Sequence, residues 1–141
     1  MNTRLAHVAI LVRDYDEAIA FYTHKLNFDL VTDERLSDTK RWVLVKPKGD
    51  GHCALLLAKA DGEQQKLFIG NQSGGRVFLF LSTDNFERDF NNLLHHNITI
   101  VRQPSTEPYG RVAVFQDLYG NKWDLIEYTN TPTGATNGPL K

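Results

Sequence analysis

The chain has 141 residues, 41% hydrophobic and 23% charged, with a net charge of -1, a composition that fits one soluble domain. No window approaches the roughly 18 uninterrupted apolar residues of a membrane span. Lys and Arg are spread along the chain with no basic stripe to neutralise a phosphate backbone, so neither a membrane nor a nucleic-acid partner is expected.

Met1 to Arg4 run straight into a strand-like segment without the apolar core and small-residue cleavage site of an export signal, and a cytoplasmic location is expected. Leu5 to Val12 is rich in apolar and β-branched residues and reads as a strand. Asp14 and Glu17 then form the pattern of a capping box, and Ala18, Phe21, Tyr22 and Leu26 recur at helical spacing. Asn27 suits a helix stop, because Asn adopts the left-handed conformation more readily than other non-glycine residues. Three strands are predicted next, at Phe28 to Asp33, Arg41 to Lys46 and His52 to Lys59, separated by polar or Gly- and Pro-containing turns. The lone cysteine, Cys53, lies in an apolar run and is expected to be a buried structural thiol.

After a polar stretch from Ala60 to Gly75 the same grammar returns. Arg76 to Ser82 reads as a strand, Asp84 and Glu87 repeat the cap pair, and Phe86, Phe90, Leu93 and Leu94 mark a helical face. Asn97 repeats the stop, and strands are predicted at Ile98 to Arg102, Arg111 to Gln116 and Lys122 to Tyr128. Asp14, Glu17, Asn27 and Arg41 match Asp84, Glu87, Asn97 and Arg111 at a constant offset of 70 residues, which points to duplication. The apolar positions of the two helices do not superimpose at that offset. Residues 130 to 141 carry too little apolar surface to offset their own ordering entropy and are expected to form a flexible tail.

HVAILVRDYDEAIAFYTHKLNF and PYGRVAVFQDLYGNKWDLIEY resemble the beginning and end of vicinal oxygen chelate proteins, the group of glyoxalase I, bleomycin-resistance proteins, fosfomycin-resistance enzymes and extradiol dioxygenases. The resemblance covers residues 5 to 128, with Asn27 replacing the usual glycine. It implies an α+β fold of two βαβββ modules whose strands form a curved, U-shaped mixed sheet, with helices on the outer face and a ligand on the concave one. The implied layout is a single domain over residues 1–129: module one 1–60, linker 60–75 and module two 76–129. Relatives commonly pair, and a homodimer is expected.

In metalloenzyme relatives, inward His or Glu side chains near the first and last strands of each half bind a divalent metal. Here those positions map to His7 and Asp124, and to Ala54–Leu56 and Val77 or Phe78, where no residue can ligate a metal. Two ligands fall short of the three that catalytic zinc sites usually supply, so no metal residue and no cofactor is expected.

Among the remaining polar and aromatic residues, His52 would share a face with Ala54 and Leu56 if its strand alternates, with a solvated histidine at the turn edge as the plainer alternative. Arg41 and Arg111 would lie on corresponding strands and suit an anionic group through their planar forks, although solvated strand-edge arginines are the plainer alternative. Trp42 and Tyr109 could wall a mostly apolar pocket. The expected ligand contacts are thus His7, Arg41, Trp42, His52, Phe78, Tyr109, Arg111 and Asp124. With no GxSxG elbow, glycine-rich phosphate loop or HExxH helix, the expected function is binding of a small organic molecule, an anion among the options, without a tightly bound metal. The rival is a divalent-metal-dependent lyase, isomerase or dioxygenase acting on adjacent substrate oxygens.

Overall fold

The computed structural model describes residues 1–129, and the expectation for residues 130–141 lies outside them. The chain divides into two compact units, Met1–Gln72 and a second beginning at Ser73. Each is a βαβββ module carrying a four-stranded mixed sheet, so the fold is α+β.

The first unit contains β1 (His7–Val12), α1 (Tyr15–Ala20), β2 (Asp29–Arg35), β3 (Arg41–Lys46) and β4 (Ala54–Lys59), with sheet order β1-β4-β3-β2. Asp14 caps α1, its carboxylate accepting from the Glu17 N–H at 2.9 Å. The helix widens over Phe21–Lys25 into a π turn in which the Leu26 N–H donates to the Phe21 carbonyl at 3.1 Å. Asn27 stops it in the left-handed region at φ 63°, and the Phe28 N–H closes back on the Tyr22 carbonyl at 2.9 Å. Ala18, Phe21, Tyr22 and Leu26 are buried, as the spacing predicts, and pack with Ile10, Val12, Val43, Val45, Leu55 and Leu57 to form this unit's core.

The stretch expected as a linker holds a short helix, α2 (Gly62–Lys66). Farther along it, the Gln72 side chain accepts from the Leu11 N–H at 2.6 Å and donates to the Ala9 carbonyl at 3.2 Å. Those bonds satisfy one donor and one acceptor on β1, the strand at the edge of its sheet.

The second unit contains β5 (Val77–Ser82), α3 (Phe86–His95), β6 (Ile100–Glu107), β7 (Gly110–Gln116) and β8 (Lys122–Tyr128), with order β5-β8-β7-β6. Asn97 repeats the left-handed stop at φ 56°. The cap differs from expectation: Asn85, not Asp84, accepts from the Arg88 N–H at 3.0 Å, and Asp84 instead pairs with the Arg88 guanidinium at 3.2 Å. The helices therefore start 71 residues apart while their stops remain 70 apart, which explains why their apolar positions failed to superimpose. Phe86 and Leu93 are buried, whereas Leu94 is exposed.

Two further expectations are corrected in the first unit. β4 begins at Ala54 rather than at His52, so His52 precedes the strand and is exposed, in line with the solvated alternative. Cys53 is exposed too, because it sits in the same connection ahead of the ladder.

Candidate functional site

Strand alternation sorts each sheet into a face under its helix and an open face. In the first unit Ile10, Val12, Val43, Val45, Leu55 and Leu57 point toward α1 and are buried. The intervening residues form the open face: His7, Ala9 and Leu11 on β1, Leu56 and Ala58 on β4, and Trp42 and Leu44 on β3. The His7 and Trp42 rings meet edge-on at 6.2 Å and 75°. These residues lie two strands apart in the order β1-β4-β3 and are offset along the strands as well, since His7 is in register with Ala54 and Leu44 with Leu56, so both side chains lean along the sheet rather than stand away from it. Trp42 remains 36% exposed. The result is an aromatic pair beside aliphatic residues of β1, β3 and β4, with Glu34 and Thr32 of β2 in register with Trp42 and Leu44 on the same face.

The open face of the second unit carries two opposite charges in one row. Phe80, Asp124, Val114 and Arg102 are successive register partners across β5, β8, β7 and β6. Phe80 is 63% exposed, while Val112, Val114 and Ile126 form a buried apolar floor. Burial pushes the half-buried Asp124 carboxyl above its ordinary value, and the Arg102 charge partly offsets this. Phe80 and Arg102 are absent from the contacts expected from sequence. A one-residue irregularity in β5 between Val77 and Leu79 brings Phe80, instead of Leu79, into register with Asp124, and no motif announces it.

Arg41 and Arg111 lie on the helix side of their sheets. Arg41 bonds Asp33 at 2.7 Å and Asp16 at 2.9 Å, and its guanidinium carbon lies 5.1 Å from the centre of the Tyr15 ring. The Arg41 guanidinium holds the Asp33 carboxyl below its ordinary range. Arg111 lies 4.8 Å over the Phe86 ring. Each arginine borders a cleft at the start of its helix: about 470 Å³ beside Asp14, Tyr15, Asp33 and Lys59, and about 430 Å³ beside Asn85, Phe86, Thr106 and Glu127. In the second cleft the Glu127 carboxylate already accepts from the Phe86 N–H at 2.6 Å. The arginines thus do not share a face with His7 and Trp42 or with Asp124. Tyr109 is half-buried in the turn before β7, and Phe78 is half-buried at the irregularity in β5.

The metal set implied by the resemblance does not fit these side chains. His7 is in register with Ala54, and Asp124 lies between Phe80 and Val114. Among the described residues no three His, Cys, Asp or Glu side chains gather in a group that could hold an ion.

Residues 4–125 match the model of the family described as the glyoxalase/bleomycin resistance protein/dioxygenase superfamily. An uncharacterized protein of Shewanella frigidimarina (strain NCIMB 400) is 53% identical over 128 residues, covering 90% of this chain and 95% of the relative. The crystal structure of UcmS2 is similar with TM-score 0.78 and 33% identity, over 89% of this chain and 98% of that one. TnmS3 from Streptomyces sp. CB03234, described as an antibiotic binding protein, is similar with TM-score 0.75 and 26% identity, over 91% and 98%.

Proposed function

The chain belongs to the glyoxalase/bleomycin resistance protein/dioxygenase superfamily, and from that premise we propose that it binds a small organic molecule on the open faces of its sheets without a tightly held metal. The His7–Trp42 pair carries this reading. An indole left partly in water exposes apolar area that a ligand would cover, at about 25 cal/mol per Å², and its face offers an offset-stacking surface to a flat ring. The likeness to TnmS3, described as an antibiotic binding protein, supports the same reading. Of the residues expected from sequence, His7, Trp42 and Asp124 are the proposed contacts.

Edge strands β2 and β6 also favour the homodimer expected from sequence. Light scattering should return twice 16.1 kDa; a single-chain mass at every concentration refutes the dimer.

Fluorescence tests the binding reading, because the two tryptophans differ: Trp42 is 36% exposed and Trp123 only 3%. Titration with 9-anthracenemethanol, a flat uncharged probe, should quench the Trp42 emission saturably, and Trp42→Ala should weaken binding about ten-fold. Saturable binding that Trp42→Ala and His7→Ala both leave unchanged would remove this face from the proposal.

A further inference from the structure

We propose that the open face of the second unit selects an organic ammonium, a cation joined to an apolar body, held between the Asp124 carboxylate and the Phe80 ring. This deepens, and rests on, the reading of the chain as a small-molecule binder. The row Phe80, Asp124, Val114, Arg102 crosses the sheet in register. Asp124 is half-buried beside the buried Val112, Val114 and Ile126 on the same face, and among the described residues neither a hydrogen bond nor an ion pair reaches its carboxylate.

Arg102 does not fill that role, because Val114 stands between the two residues in the row and separates their strands by about 10 Å of backbone. It acts on Asp124 only through space. Lys122, two residues away on β8, donates to the Gly75 carbonyl at 3.0 Å and is held by that loop. Ser105 and Glu107 are hydrogen-bonded to each other at 3.0 Å on β6.

An anion placed beside Asp124 would meet like charge, and an uncharged molecule would leave the carboxylate without its counter-charge in a partly desolvated setting. An ammonium meets both neighbours at once. It pairs with the carboxylate and lies against the face of Phe80, which is 63% exposed and free to receive it. The rest of the ligand covers the exposed Phe80 ring.

The test compares three flat probes of similar size by fluorescence: 9-aminoacridine as the cation, 9-anthracenecarboxylate as the anion and 9-anthracenemethanol as the neutral form. The cation should bind at least about ten-fold tighter than the anion, and Asp124→Asn should remove that preference while leaving the neutral probe within about two-fold. Arg102→Gln should tighten the cation by removing a competing charge, and Glu63→Gln, on exposed α2, should change nothing. Asp124→Asn is checked for folding by circular dichroism, and Asp124→Glu should keep the cation preference. If all three probes bind equally, or Asp124→Asn leaves the preference intact, the ammonium assignment is overturned and the binding reading stands. If none saturates, both fall.

Discussion

Arg111 holds its guanidinium 4.8 Å over the ring of Phe86, the first residue of α3. Arg41 stands in the same relation, 5.1 Å from Tyr15, the first residue of α1. Each module thus pins the start of its helix to its third strand with a cation on an aromatic face. Arg41 adds ion pairs to Asp16 and Asp33. Partly exposed pairs contribute about 0.5–1 kcal/mol together, and the aromatic contact contributes about as much.

Arg41→Ala should therefore lower Tm by about 3–6 °C, and Arg111→Ala by less. Neither should change affinity for a ligand on the open faces more than about two-fold. Calorimetry and titration of the two variants check this; a large affinity loss without a Tm change would place the arginines in the binding site.

Asn27 and Asn97 end the helices at φ 63° and φ 56°. Glycine tolerates this region freely and β-branched residues do not. Asn27→Gly and Asn97→Gly should stay within about 0.5 kcal/mol of the parent, and Asn27→Val should cost about 1–2 kcal/mol in urea unfolding. Equal costs for Gly and Val would contradict the left-handed geometry.

Gly110 is a second backbone constraint. It has φ 153°, and an added Cβ would collide with the Glu127 carbonyl oxygen and approach the Tyr128 Cα to 2.9 Å. Both neighbours belong to the backbone of β8, so no side chain can turn aside. Gly110→Ala should cost at least about 2 kcal/mol; an unchanged denaturation midpoint would contradict the close β7–β8 approach.

Much of this fold was legible in the sequence because its signals are local and repeated. β3 and β8 have the predicted limits, and both asparagine stops adopt the conformation their residue type favours. The cap of α3 was misplaced by one residue because Asp84 and Asn85 are both good caps and only backbone geometry chooses between them. β4 starts at Ala54 and Cys53 is exposed because the apolar run continues backward in composition but not in hydrogen bonding. For the candidate site, alternation placed Asp124 opposite to Trp123 and Leu125, and it lies there. Arg41 and Trp42 are adjacent in β3 and face opposite ways, so alternation alone keeps them from sharing one pocket. The contribution of Phe80 depends on an irregularity in β5 that leaves no mark in the residue pattern.

The pH dependence of stability should separate two carboxylates. The Asp33 carboxyl is held low by its bond to Arg41, so its contribution is present above the unfolded value, about 3.9, and is lost as pH falls through the folded one. Asp124 is shifted upward by burial; it carries no penalty below the unfolded value and the full penalty above the folded one. Asp124→Asn should therefore raise Tm at pH 7, and the gain should vanish below about pH 4. A destabilised Asp124→Asn at neutral pH would show that the carboxylate has a partner in the folded protein.

The central claim is that ligand binds on the open faces and not in the clefts beside the helices. Backbone amide chemical shifts, followed by NMR during titration with 9-aminoacridine and 9-anthracenemethanol, test it most directly. The perturbed amides should cluster around His7, Ala9, Trp42, Leu44 and Leu56 for both probes, and around Phe80, Val114 and Asp124 for the cation. Perturbations confined to Asp14, Tyr15 and Arg41, or to Asn85, Phe86 and Arg111, would contradict it.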